Sequence, residues 1–289
     1  MRIVVHEGVV YIRPLSGETL DDCDPRQTIA LLREYGHIVY TGFPSGRKCF
    51  SEFTEKFGFC SDVPAEHTHG LHPYQPDAIW SLRAGSGCPT STEQLIDGVR
   101  LLAEMDARWS AAASGEGIRF DRLHSEETCR RILQGHSREA VARRLARLRA
   151  VRYEFRADGS LFTSFLAPLV SRTPSGADTV GVTALRAVLQ AESGGLRLAD
   201  GRSMPATLAD QLREKANLAR RTITAATGDL TVLDNHRMLR GAGSKGLTVR
   251  QCDNMLGSFP CRVASPLDAA LKQLVQCGSN AAAPALATP

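Results

Sequence analysis

Eight short apolar runs limit the fold more than any other feature of this sequence: RIVV (2–5), VVYIR (9–13), HIVYTGF (37–43), AIWSLR (78–83), VRYEF (151–155), SLFTSFL (160–166), DLTVLDN (229–235) and LTVRQCDNML (247–256). Most are bounded by Gly, Pro, Asp or Asn, the punctuation of strands joined by turns. Helical patterns lie between them. PRQTIALLREYG (25–36) closes on Gly36, and FSEFTEKFG (50–58) puts Phe50, Phe53 and Phe57 on one face. STEQLIDGVRLLAEM (91–105) reads as a third helix, and TLADQLREKANLARRTITAATG (207–228) as a fourth, with Thr207 as its N-cap. Strands dominate without regular βαβ alternation, so the expected class is α+β, built on a β-sandwich or barrel. The polar, helical segment 110–150 is expected as an insertion placed to cover a site.

A chain of 289 residues can bury a sizeable core, and residues 1–277 are expected to form one elaborated domain. The low-complexity tail GSNAAAPALATP (278–289) is expected to be disordered. With 43% hydrophobic and 23% charged residues, the composition excludes a fibre or a wholly disordered chain. No apolar stretch approaches the roughly 18 residues of a membrane span, and the start MRIVVHEGVVYIRPL has no cleavage-site pattern. A cytoplasmic protein with no membrane partner is the expectation. The eight cysteines are scattered, with no C-x-x-C pair, so reduced thiols are expected.

The net charge of +4 is too small to argue for nucleic acid, and no zinc-finger or helix-turn-helix spacing is present. Charge is nevertheless uneven. Nine arginines fall between residues 130 and 156, Arg143 and Arg144 among them, against only Glu139 and Glu154. That excess reads as a solvated helix face, or as a contact for an acidic carrier protein or an anionic group.

The chemistry-bearing stretch is EHTHGLH (66–72). In an extended segment, side chains at i and i+2 leave one face, so His67 and His69 can point at one spot while Thr68 points away. That is metal-ligand spacing, and imidazole suits iron, zinc or copper. His72 can approach the same spot if the chain turns at Gly70. Further on, GDLTVLDNHRMLRGAGSKGLTVRQCDNML (228–256) reads as a strand, an Asp234-Asn235 turn, a second strand and a Gly-rich loop leading to a third. Trp80 and Trp109 are expected in packing.

The order of TGFP (41–44), a Phe-rich helix ending in FG, HTHG followed by PDAIW, then DGVRLL, LADGRSMP and GDLTVLDNHRML resembles the taurine dioxygenase and clavaminate synthase type of iron(II)/2-oxoglutarate oxygenase. The match spans roughly residues 28 to 258. It implies a distorted double-stranded β-helix (jelly roll) with flanking helices, Fe(II) and 2-oxoglutarate as cofactors, and a small-molecule substrate that is amino-acid-like or carboxylate-bearing and belongs to a biosynthetic pathway. By the resemblance, His67 matches the first iron ligand, and His69 stands where the family has a carboxylate. Arg240 stands where the family's distal His is found. Arg250 matches the arginine that grips the far carboxylate of 2-oxoglutarate, and Thr90 or Thr92 matches a hydroxyl that contacts this co-substrate.

A guanidinium has no lone pair and stays charged, so Arg240 is no iron ligand. His72 is one candidate for the third position. His236 is another, although four residues of strand put it roughly 13 Å from position 240. If neither serves, Arg240 becomes a carboxylate anchor beside Arg250. Three readings follow: an oxygenase, a relative that binds a small acid or a protein without redox chemistry, and a metal-dependent hydrolase, which would need a regular β/α barrel.

Overall fold

The structure is a computed structural model that describes residues 1–63, 75–83, 90–148, 151–191, 195–241, 247–253, 255–256, 267, 270–271 and 273–274. The first third holds β1 (Arg2–His6), β2 (Val9–Arg13), α1 (Pro25–Tyr35), β3 (His37–Tyr40), α2 (Arg47–Glu55), β4 (Phe59–Val63), β5 (Ala78–Arg83) and β6 (Thr90–Asp97). The middle holds α3 (Gly98–Glu104), α4 (Ala107–Ala113), β7 (Gly117–His124), α5 (Glu126–Ile132), α6 (Arg138–Leu145), β8 (Val151–Phe155), β9 (Leu161–Pro168), β10 (Val170–Arg172) and β11 (Asp178–Val180). The last third holds α7 (Val182–Gln190), β12 (Arg197–Leu198), α8 (Ala206–Leu218), β13 (Arg221–Ala226), β14 (Leu230–Asp234), β15 (Met238–Arg240) and β16 (Leu247–Asp253).

Two sheets carry the architecture. The larger runs β1-β2-β3-β14-β5-β16-β4, and the smaller β13-β6-β15. A four-stranded sheet, β12-β7-β9-β8, and a β10-β11 hairpin complete the set among the described residues. Every strand pair in these sheets is antiparallel except β2 with β3. This is not the parallel β/α barrel that the hydrolase reading requires.

Local chemistry explains most elements. Asp24 caps α1 by accepting from Arg26 N at 2.9 Å, Pro25 occupies the first turn, and Gly36 ends the helix at φ 78°, where a side chain would be strained. Phe50, Phe53 and Phe57 are buried in the core cluster of the larger sheet, and Phe53 and Phe57 meet Trp80 with ring centroids 5.5 Å and 4.9 Å away. Such aromatic pairs add about 0.5–1.5 kcal/mol each beyond the area they bury. Trp80 and Trp109 are packing residues as expected; Trp109 Nε1 donates to Leu208 O at 3.1 Å.

Several expectations need correction. Residues 91–105 are not one helix: Thr90–Asp97 is β6, held between β13 and β15, and α3 starts only where Asp97 caps it through Val99 N at 3.0 Å. The helix expected over 207–228 stops at Leu218, because the β-branched run Thr222, Ile223, Thr224 pairs with β6. Its N-cap position is Pro205, and Thr207 lies inside the first turn. Segment 110–150 is not purely helical, since β7 runs through it and anchors the four-stranded sheet. Cys60 and Cys252 form a disulfide, although they are 192 residues apart in sequence. Register brings them together, because they are opposite partners in the β4·β16 ladder, which no spacing rule could show. The tail 278–289 lies outside the described residues. Among the described residues, no helix is long and apolar enough to cross a membrane.

Candidate active site

Cross-strand partners share a sheet face, so the registers sort every side chain of the larger sheet. Ile38, Val232, Trp80 and Arg250 lie on the face that packs on α1 and α2. His37, Val39, Thr231, Leu233, Ile79, Ser81, Arg83, Val249 and Gln251 lie on the other. The second face meets the smaller sheet, because Val39 and Leu233 pack with Leu95, Ile223 and Met238 in one buried cluster. On the smaller sheet, Glu93 and Arg240 share the face of Leu95 and Met238 by strand alternation. The space between the sheets is therefore apolar in one part and polar in another.

The polar part centres on Arg240. Its guanidinium lies 2.5 Å from a Glu93 carboxylate oxygen, and both side chains are only 4% exposed. Burial pulls the Arg240 pKa down, and the Glu93 charge and hydrogen bond push it back up. Removing one member of such a pair strands a buried charge, at a cost of about 3–5 kcal/mol. His37 is buried, and among the described residues neither of its ring nitrogens has a hydrogen-bond partner. Burial, reinforced by the Arg240 charge, lowers its pKa to about 3, so the ring is neutral at physiological pH. Arg83 is 7% exposed and its Nε has no acceptor among the described residues, while Ser81 and Thr231 bond each other at 2.5 Å.

Arg250 is placed quite differently. Its Nη1 donates to Ser51 O and Thr54 Oγ1, both at 2.7 Å, and its Nη2 to Glu55 Oε1 at 3.2 Å and Cys60 O at 3.3 Å. Its Nε lies 3.0 Å from Asp62 Oδ1. It ties the end of α2 to the edge strand β4, on the side of the sheet away from Arg240. Thr92 is exposed on β6, one residue from inward-facing Glu93 and hence on the outer face. Thr90 begins β6, and its side chain lies outside the described residues.

His236 sits in the turn between β14 and β15. Its Nε2 is 3.2 Å from Asp77 Oδ1, and its backbone N donates to Asp234 Oδ1 at 2.9 Å. Asn235 Nδ2 donates to Pro76 O at 3.0 Å, so Asp234 and Asn235 build the turn as expected. Asp234 is fully buried, its Oδ2 has no hydrogen-bond partner among the described residues, and burial raises its pKa to about 6. His67, His69 and His72 lie outside the described residues. Among the described residues, no three His, Cys, Asp or Glu side chains converge on a point where a metal could sit. The chemistry of position 240 does not fit a ligand either, because a guanidinium paired to a carboxylate offers no lone pair.

Sequence reasoning missed His37, Arg83 and Glu93. A signal was present for the first two, since each is a polar residue inside an otherwise apolar strand run. Glu93 was hidden by the helical reading of its segment.

No family model matches the sequence, and no curated protein matches it. Solved structures do. AAD-2, in a crystal structure in complex with Mn(II) and N-oxalylglycine, superposes with a TM-score of 0.54 at 14% identity, covering 90% of this chain and 99% of that one. PvcB from Pseudomonas aeruginosa superposes at 0.53 with 14% identity, covering 84% of each chain. Another structure of PvcB describes it as an Fe, alpha-ketoglutarate dependent oxygenase from an isonitrile synthetic pathway. A taurine dioxygenase from Burkholderia xenovorans superposes at 0.51 with 13% identity, covering 85% and 86%. At these identities the likeness is one of architecture, and the chain has the fold of these oxygenases.

Proposed function

We propose that the protein is an oxidoreductase of the iron(II)/2-oxoglutarate type, built on a distorted double-stranded β-helix. Its substrate is a small, amino-acid-like or carboxylate-bearing molecule of a biosynthetic pathway. The observation that carries this reading is a shared fold over most of the chain whose inter-sheet space is lined by buried polar groups, His37, Arg83, Glu93 and Arg240, where apolar packing alone would close it. Ligand sites are commonly of this kind, apolar with a few convergent polar groups. The cofactors come from the similar structures, one of which holds Mn(II) with N-oxalylglycine. His67 and His69, with His72 as third donor, are the residues that would hold the metal; when bound, it would supply oxygen chemistry. Arg240 is not part of that set, and its place suits a carboxylate anchor. A cytoplasmic location belongs to this reading, and the Cys60–Cys252 bond is the feature that a reducing compartment would open.

A second reading is favoured by one specific observation. The Arg240–Glu93 pair fills the position of the expected distal ligand, which fits a relative that binds a small acid without redox chemistry. Turnover separates the two. The first reading predicts that the iron(II)-loaded protein, in air, converts 2-oxoglutarate to succinate above the iron-free background. No iron-dependent succinate at any metal concentration would favour the second.

A further inference from the structure

Register makes Cys60 and Cys252 direct cross-strand partners, and the two ends of their disulfide sit in unlike surroundings. Cys252 is fully buried on β16, a strand held between β5 and β4, and it belongs to the apolar cluster that contains Phe50 and Phe53. Cys60 is half-buried on β4, which among the described residues has β16 as its one neighbour. Little apolar burial holds that strand. Phe59 is 61% exposed, Ser61 and Asp62 are exposed, and Val63 is half-buried. An element with so few buried contacts opens locally at a small fraction of the cost of unfolding the whole chain. Besides the ladder, β4 is tied down by Arg250, which donates to Cys60 O and lies beside Asp62, and by the disulfide itself.

A second observation concerns the reduced state. Cys60 Sγ lies 3.2 Å from Thr54 O. A disulfide sulfur has no proton to offer that carbonyl, whereas a thiol donates to it. Cys252, once freed, stays among apolar side chains, where a cysteine behaves as a small hydrophobe. Both redox forms are therefore accommodated without rebuilding the site, as a bond that opens and closes requires.

We propose that the Cys60–Cys252 bond is a reversible thiol-disulfide latch on β4, opened by a dithiol and closed by a disulfide oxidant. The unequal exposure of the two sulfurs fixes the order of events. A reductant thiolate attacks Cys60 Sγ, the Cys60–Cys252 bond breaks, and its electron pair leaves on Cys252 Sγ, which takes up a proton. The second thiol of the reductant then displaces Cys60, leaving two protein thiols and one reductant disulfide. Closure runs in reverse, with the two electrons passing to the oxidant's disulfide. In the open form β4 keeps its ladder with β16 and loses its covalent tether. β4 ends at Val63, and the stretch EHTHGLH begins at residue 66. On the reading that this stretch holds the metal, the latch is also a redox control of metal affinity, and the closed form binds more tightly because the strand leading into the stretch is fixed.

The test combines differential alkylation read by peptide mass spectrometry with amide hydrogen exchange, on the full chain in reduced or oxidised dithiothreitol. The native protein should lose and regain the bond without denaturant, and a limiting pulse of glutathione should leave its mixed disulfide on Cys60. Exchange over residues 59–63 should be about tenfold faster in the reduced form, with β5 and β14 unchanged. Cys60→Ser combined with Cys252→Ala should show the faster exchange in both buffers; if that variant does not fold, the native chain alone decides. No bond after oxidation, a bond that resists reduction until the protein unfolds, a mixed disulfide on Cys252, or equal β4 exchange in the two forms would overturn the proposal. Anaerobic iron(II) titration of the two forms, after removal of the reagent, keeps the latch separate from the functional reading. Redox-dependent β4 exchange with equal iron affinity would sustain the latch and count against residues 66–72 as the metal-holding stretch.

Discussion

The two faces of the larger sheet are built from similar strands to opposite ends. On the helix side, Trp80 is enclosed by Tyr40, Phe53 and Phe57, and Arg250 has an acceptor on each of its Nη atoms. On the inner side, among the described residues, neither ring nitrogen of His37 nor the Nε of Arg83 has a hydrogen-bond partner. Satisfied buried polar groups hold a fold together, and unsatisfied ones have to be explained by function. The contrast therefore teaches that Arg250, which the motif resemblance puts in a co-substrate pocket, ties α2 to β4 in the fold.

Substitutions can break this comparison in order of expected effect. Glu93→Ala strands Arg240 in the interior and should destabilise the protein by about 3–5 kcal/mol, read from urea unfolding midpoints. Arg250→Gln removes charge-assisted hydrogen bonds at the end of α2 and should cost about 1.5–3 kcal/mol, with acid affinity unchanged. Arg83→Gln should do the reverse. It removes a buried charge that forms no ion pair among the described residues, so stability should hold or rise by about 1 kcal/mol, while acid affinity falls.

A fourth prediction concerns pH. His37 and His124 are lowered by burial to about 3 and about 4, from an ordinary 6.5, with Arg240 and Arg122 respectively adding to the effect. The unfolded chain therefore takes up protons that the native state refuses, and stability should fall as pH drops from about 6.5 towards 4. Asp234, raised to about 6, opposes this, because the native carboxyl binds a proton before the unfolded one does. Two histidines against one carboxyl leave a net loss. His37→Leu should flatten the slope of urea midpoint against pH, and an unaltered slope would remove His37 from the account. The smallest effect is expected at α6. Reversing Arg143 and Arg144 to Glu should leave small-acid affinity within twofold, because α6 packs on the four-stranded sheet and not on the inter-sheet space.

The sequence made the strands of the larger sheet legible wherever apolar runs were long and bounded by turn residues, as in HIVY, AIWSLR and LTVLD. It hid β6 and β13, because their residues carry a helical spacing that only pairing with each other overrides. The face of a strand was equally hidden. Arg250 stood at the right distance from Arg240 for a co-substrate anchor, but side-chain direction has a period of two, and register with Trp80 turned it to the helices. Arg83 and His37 are marked in the sequence only as single polar residues in apolar runs, a signal that gains weight once their burial is known.

The central claim is that an oxygenase fold binds its acid from the inner face. It is tested most directly by anaerobic titration with iron(II) in the presence of 2-oxoglutarate, following the visible charge-transfer band of the chelated metal. The account predicts a saturable band at one equivalent in the native chain and in Arg250→Gln, and a higher 2-oxoglutarate requirement in Arg83→Gln. No band in the native chain, or a band weakened by Arg250→Gln and untouched by Arg83→Gln, would contradict it.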